Sequence, residues 1–216
     1  MAGEQVVVIG LGRFGSALAR ELERLGHQVL AIDRNEQAVN EIAPDVTHAL
    51  QLDAADEEAL RSAGAGDFNT AIVAISTDAE PSIFATMVLK RLGVRTVIAK
   101  AGSQLHAEIL SRVGADRVVL PERETGVRLA HSFNVPNVID YLDVAPGFGI
   151  EKIRPPKSFI GRSIGELDLK GRMGLTTVAL RRGKQVLVNP TRDERIGQGD
   201  ELIVIGQDAN LEQLRG

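Results

Sequence analysis

The chain contains no cysteine, no tryptophan, a single tyrosine and only 3% aromatic residues. Without cysteine there are no disulfide frameworks, thiolate metal centres or cysteine nucleophiles. So few aromatic rings leave little on which nucleic-acid bases could stack. Net charge is −4 over 216 residues, and neither half holds the excess of lysine and arginine that a nucleic-acid footprint requires. No nucleic-acid partner is therefore expected. Long apolar runs are missing too. The longest are a handful of residues, such as Val6–Ile9, where a membrane-spanning helix needs ~20. A membrane role would have to come through a partner. The first residues, Met-Ala-Gly-Glu-Gln, lead straight into an apolar strand without a basic n-region or a long hydrophobic segment, so a cytoplasmic location is expected. What remains, 44% hydrophobic and 25% charged residues, is the profile of a folded globular protein.

Residues 1–133 alternate between short β-branched runs and helical spacing. Strands are predicted at Gln5–Ile9, Val29–Ile32, Thr47–Leu52, Ala71–Ile75, Thr96–Ala99 and Arg117–Leu120. Helices are predicted at Phe14–Leu25, with an apolar stripe of Phe14, Leu18, Leu22 and Leu25, and at Glu36–Ile42, Asp56–Ala63, Pro81–Leu92, Leu105–Val113 and Glu122–Phe133. Strands this apolar on both faces, each followed by a helix, specify an α/β fold, a Rossmann-like doubly wound parallel sheet. After Pro136 the pattern changes. Short strands crowd together at Asp143–Ala145, Gly149–Ile153, Leu175–Arg181, Gln185–Val188 and Glu201–Ile205, with helical character only near Ser163–Leu169. Residues 134–216 read as a second, smaller, mainly antiparallel α+β domain.

Gly10-Leu-Gly12-Arg-Phe-Gly15 is a G-x-G-x-x-G that follows the first strand and opens the first helix. Gly10 permits the tight turn, Gly12 lets a pyrophosphate approach the backbone, and Gly15 lets helix and strand pack closely. The helix N-terminus offers its N–H groups and dipole to phosphates. Asp33 ends the second strand, where a Rossmann acid accepts hydrogen bonds from ribose hydroxyls. Arg34 beside it could meet a 2′-phosphate. The charge of Asp33 opposes one, which favours an unphosphorylated ribose. Arg13, inside the loop and next to Phe14, either forks onto a terminal phosphate, as in ATP or ADP, or points to solvent. Asp53 ends the third strand and either meets the adenosine side of the ligand or caps the helix at 56–63. Lys100 ends the fifth strand at the same carboxyl edge and either serves phosphates or is solvated.

A dehydrogenase needs a positioned acid or base beside a substrate pocket. His27, His48, His106 and His131 are scattered, and His106 reads as a surface side chain. Tyr141 lies outside the first domain, and no Tyr-x-x-x-Lys pair exists. A small NAD(P)-dependent oxidoreductase is thus the second reading. A redox-sensing transcriptional repressor is a third, ranked last because no basic recognition helix is visible.

Val8-Ile-Gly-Leu-Gly-Arg-Phe-Gly15, Ala31-Ile-Asp33, Gly114-Ala-Asp116-Arg117-Val-Val-Leu-Pro121-Glu122 and Gly126-Val-Arg-Leu-Ala130 resemble the regulatory subunits of Trk/Ktr potassium uptake systems. Residues 1–133 resemble the N-terminal RCK domain. Residues 134–216, marked by Ile164-Gly-Glu-Leu167 and Ile196-Gly-Gln-Gly-Asp200-Glu-Leu-Ile-Val-Ile-Gly206, resemble its C-terminal partner. A single copy of each matches the Ktr type. The resemblance implies a homo-oligomeric, octameric ring beneath a membrane potassium-translocating subunit, gated by ATP, ADP or NAD(H). It also implies a cation near the phosphates held by Glu122, although a glutamate there equally suits the first turn of a helix. Cyclic di-AMP, bound by the C-terminal domain of some relatives, is not favoured. Ile160, Ile164 and Pro190 could line an adenine slot, but Lys170 stands where an arginine is expected.

Overall fold

Strand β1, Gln5–Ile9, is apolar throughout, and Val6, Val7, Val8 and Ile9 are each at most 2% exposed. Such a strand needs cover on both sides, and alternation along it supplies two cores. Val7 and Ile9 join one cluster with Leu60, Leu89 and Leu110; Val6 and Val8 join another with Ala19, Val39 and Ile42. Helices α1 (Arg13–Arg24) and α2 (Glu36–Ile42) therefore cover one face. Helices α3 (Glu57–Ser62), α4 (Ala79–Arg91) and α5 (Gln104–Arg112) cover the other. The remaining strands are β2 (Gln28–Asp33), β3 (His48–Gln51), β4 (Thr70–Val73), β5 (Thr96–Lys100) and β6 (Arg117–Val119). All pairings are parallel, in the order β3-β2-β1-β4-β5-β6. This is the Rossmann-like doubly wound sheet, with its direction reversing between β1 and β4.

The computed structural model describes residues 3–75, 78–133 and 137–215, with the backbone alone at 131–133 and 215. The predicted break at Pro136 lies outside the described residues. The chain forms two compact units, Met1–Glu122 and Arg123–Gly216, so that α6 (Pro121–Phe133) starts at the end of the first and runs on in the second.

The predicted stripe of α1 is corrected. Its fully buried residues are Gly15 and Ala19; Leu18 and Leu22 are partly buried and Leu25 is 60% exposed. The helix lies so near the strand ends that only small residues fit the central contact. A Cβ on Gly15 would stand 1.8 Å from the Gly10 carbonyl oxygen.

The second unit is an antiparallel sheet of β7 (Val138–Ala145), β8 (Phe148–Ile153), β9 (Thr176–Arg182), β10 (Gln185–Val188) and β11 (Glu201–Gln207). Their order is β10-β9-β11-β8-β7. Short helices α7 (Ile164–Leu167), α8 (Leu169–Met173) and α9 (Asp208–Leu211) contribute Leu167, Leu169 and Leu211 to a core with Tyr141, Ile153, Leu180 and Leu202. The Tyr141 hydroxyl donates to Asp208 at 3.1 Å, and burial, then Asp208, pushes its phenol up to about 12.

A charged clamp holds the turn before β11. Arg182 donates to both oxygens of Asp200 at 3.0 and 2.8 Å, and the Gly197 N–H adds a bond at 2.8 Å. Asp200 is buried, and Arg182 above all holds its carboxyl below the usual carboxylate range. The fold thus favours the ionised form. That stability is complete above the ordinary carboxylate range near pH 4 and is lost as pH falls from there through the depressed native value. Tyr141, the single tyrosine in a chain without tryptophan, reports unfolding of this unit by its fluorescence. Urea titrations should show that Asp200→Asn costs about 1–3 kcal/mol at pH 7, and that the variant loses less than the wild type between pH 5 and pH 3.

Candidate functional site

Gly10 has φ +94°, and a Cβ there would press on Ile75 and Ala74 at 3.0–3.1 Å, so the turn itself demands glycine. Gly15 is demanded by the packing of α1. Gly12 is different: a Cβ there would meet nothing within 4 Å. Among the described residues no neighbour requires glycine at that point, which leaves its backbone open to approach from outside. Helices α2, α3, α4 and α5 are each capped by a side chain, from Asn35, Asp56, Asp78 and Ser103. Helix α1 starts from Gly12, with no side-chain cap and no acid in its first turn. Its first N–H groups face the carboxyl edge of the sheet ready for an external acceptor.

In front of this N-terminus lies a cleft of about 440 Å³, within the ~300–1,000 Å³ usual for ligand sites. The ends of β1, β2, β3 and β4 supply Gly10, Gly12, Asp33, Arg34, Asp53 and Ile75 to its wall. Asp33 Oδ2 accepts from the Leu11 N–H at 2.6 Å and Oδ1 from the Asn35 N–H at 2.8 Å. The acid thereby ties β2 to the glycine loop and keeps further lone pairs for a ligand. Asp53 lies in the cleft wall and accepts from Ala55 N–H at 2.9 Å. Its alternative role is overturned: the cap of α3 is Asp56, which accepts from Glu58 and Ala59. Asp78, Glu80 and Phe84 complete the far wall. The cleft thus carries four carboxylates against the one guanidinium of Arg34.

The other five candidates, Arg13, Phe14, Gly15, Lys100 and Glu122, do not line that cleft. Lys100 is not solvated: it is 5% exposed, with its Nζ 2.7 Å from Glu122 Oε1 and 5.7 Å from the centroid of the Phe14 ring. Glu122 lies in the first turn of α6 with a largely exposed side chain. Its carboxyl is held below the usual range, chiefly by Lys100 and further by the charge of Arg13, itself exposed. Apart from Gly15, which packs α1 against the Gly10 turn, the candidates therefore fall into two groups, a cleft (Gly10, Gly12, Asp33, Arg34, Asp53) and a charged cluster (Arg13, Phe14, Lys100, Glu122).

His106 is corrected as well. It is 5% exposed, its Nδ1 accepts from Gly102 N–H at 3.3 Å, and burial lowers its basicity. The signal was its position four residues before the buried Leu110, on the inward face of α5. The side chain of His131 lies outside the described residues. Within the second unit, Ile164 and Lys170 line one hollow, together with Arg192, and Ile160 lines another with Arg154 and Lys157; Pro190 lines neither. Gly114-Ala-Asp116 has a structural role, since Asp116 Oδ2 accepts from Val97 N–H at 2.6 Å and from Lys90 at 3.0 Å.

The two inner glycines should separate in a stability measurement. Gly15→Ala forces a methyl group against a backbone carbonyl and should cost about 1–3 kcal/mol or more. Gly12→Ala should stay within about 0.5 kcal/mol. Urea unfolding of both variants checks this.

The TrkA-N domain family matches residues 6–121 and the TrkA-C domain family residues 150–216. The chain is 40% identical over 203 residues to Ktr system potassium uptake protein C of Bacillus subtilis, covering 94% of this chain and 92% of the relative. It is 32% identical to Ktr system potassium uptake protein A of Vibrio alginolyticus, covering 96% and 94%. Among solved structures, the GsuK RCK domain superposes over the whole chain with TM-score 0.70 at 19% identity, and the GsuK channel bound to NAD with TM-score 0.69 at 20%. This chain spans 47% and 40% of those two longer chains. The fold, the two successive family matches and the identity across nearly the whole length agree: the chain belongs to the TrkA-N/TrkA-C family of Ktr-type potassium uptake proteins.

Proposed function

We propose that this chain is a cytoplasmic nucleotide-sensing regulatory subunit, without enzymatic activity of its own, that gates a membrane potassium-translocating partner. One observation carries the reading. A long helix begins uncapped at a glycine with open space above it, and faces a cleft at the point where the sheet changes direction. Such a cradle suits a pyrophosphate. Asp33 then accepts from the ribose hydroxyls, and Asp53 lies along the adenosine side. Four carboxylates around Arg34 disfavour a 2′-phosphate, so the reading is ATP, ADP or NAD(H) rather than their 2′-phosphorylated relatives. Arg13 and Lys100 supply the cationic charge for a terminal phosphate. Residues 1–133 form the nucleotide module and 134–216 the regulatory one.

The proposed assembly is a homo-oligomer, an octameric ring by analogy with the family. Val127 and Leu129 on α6 are 51% and 56% exposed, an apolar pair suited to burial between copies. Light scattering at micromolar concentration should find an oligomer; a monomer would contradict this part of the proposal.

Titration calorimetry with ATP, ADP, NADH and NADPH tests the ligand class. Gly12→Asp puts a carboxylate where the phosphates sit and should abolish all binding, while the fold survives because the position is open. Arg13→Ala should lower ATP affinity about ten- to a hundredfold, a charge-assisted contact of ~1.5–3 kcal/mol, with much less change for ADP. A Gly12→Asp variant that binds normally would refute the cradle. Steady consumption of NADH, followed by absorbance, would favour the oxidoreductase reading instead.

A further inference from the structure

Strands β8 and β11 pair so that Ile153 stands opposite Leu202. Arg154, just after β8, and the turn Gly197–Asp200, just before β11, therefore meet at one end of the second sheet. Together they border a hollow of about 450 Å³, within the ~300–1,000 Å³ usual for small-ligand sites. Its walls are held. The Arg154 N–H donates to the Asn137 carbonyl at 2.7 Å, and Pro155-Pro156 stiffens the chain that follows. Phe159 packs against the core of this unit, and the Gly161 N–H donates to the Ile196 carbonyl at 2.8 Å. On the other side, the grip of Arg182 on Asp200 fixes the turn. The hollow shares no lining residue with the one of Ile164, Lys170 and Arg192.

The charges around this hollow are unequally engaged. Both of its carboxylates are committed. Asp200 accepts from Arg182 and from the Gly197 N–H, and Glu201 meets Lys152 at 2.8 Å and Arg181 at 3.0 Å. Its two cations are not. Arg154 and Lys157 are exposed, and among the described residues their side chains have no hydrogen-bond or ion-pair partner. Pro155 and Ile160, the latter 37% exposed, add apolar lining. A guanidinium fork and an ammonium both suit phosphate oxygens. A phosphomonoester carries about −1.5 to −2 charge at pH 7, which matches two cations where a carboxylate would match one. The hollow is also larger than a phosphate group, so the apolar lining has room for the body that the ester carries. We infer that this hollow binds a small phosphomonoester, with its phosphate on Arg154 and Lys157 and an apolar or aromatic body against Pro155 and Ile160. A ligand held there ties the segment after β8 to the turn before β11. The site is independent of the glycine-loop cleft, and the inference does not rest on the nucleotide reading.

Titration calorimetry of the full-length chain with phenyl phosphate, benzoate and inorganic phosphate tests this. Benzoate keeps the ring with a single charge, and inorganic phosphate keeps the charge without the ring. Phenyl phosphate should bind about tenfold or more tightly than either. Arg154→Gln and Lys157→Gln should each weaken phenyl phosphate about five- to tenfold, and together they should remove measurable binding. Neither replacement breaks a contact within the described chain, so both variants should keep the wild-type urea transition of Tyr141 fluorescence. Gly12→Asp, which alters only the glycine-loop cleft, should bind phenyl phosphate as the wild type does. Equal affinity for the three ligands would show charge attraction without a shaped site and would overturn the inference. Wild-type affinity in the double variant would overturn it too. So would phenyl phosphate binding that is lost in Gly12→Asp and kept in the double variant, since that result would place the ester in the cleft.

Discussion

The contact between α1 and the glycine loop sets the position of everything else at the carboxyl edge. Gly15 approaches the Gly10 carbonyl so closely that no side-chain atom fits between them. That approach is possible because Gly10 turns through φ +94° and sends the chain straight from β1 into the helix. The N-terminus of α1 is therefore fixed at the end of the central strand. Asp33 fastens the arrangement from the neighbouring strand through the Leu11 N–H, so β1, β2 and α1 share one small polar joint. A ligand that engaged this joint would act on two strands and a helix at once.

Charge is divided around that joint. Carboxylates gather along the cleft on one side, at Asp33, Asp53, Asp78 and Glu80, while Arg13, Lys100 and Glu122 form a separate group. The division suits a ligand with a neutral, hydroxyl-rich end and an anionic end. Hydroxyl groups donate to carboxylates, and phosphates require donors and positive charge. Open coordination at Gly12 stands between the two groups, where backbone N–H groups alone can serve the middle of such a molecule.

The parallel sheet was legible because its inner strands β1, β2 and β4 are buried on both faces, which writes them into the sequence as apolar, largely β-branched runs. The glycine motif was equally legible, since turn, packing and backbone approach each exclude side chains. Boundaries and partners were less so. Asp53 and Asp56 look alike as capping candidates three residues apart, and only the geometry of the turn selects Asp56. Residue type hid His106, whose place on the buried face of α5 shows only from its spacing to Leu110. The α1 stripe misled because Leu18 and Leu22 advertise burial more loudly than Gly15 and Ala19. In the second unit, α8 and α9 are too short for a helical period to emerge. The Lys100–Glu122 pair joins the end of β5 to the start of α6, and no local pattern announces it.

That pair differs in kind from the contacts of the glycine loop. A ligand shifts a conformational equilibrium only as far as its affinities for the two states differ. Contacts with the glycine loop alone offer little such difference, since Gly10 and Gly15 pin the loop in one geometry. Lys100, by contrast, ties the end of β5 to the first turn of α6 through its ion pair with Glu122. Because Glu122 lies in the first turn of α6, that pair stands at the head of a helix that continues along the chain into the second compact unit. A loop pinned in one geometry suits recognition, whereas an ion pair between two separate elements is a contact whose strength a nearby charge can change.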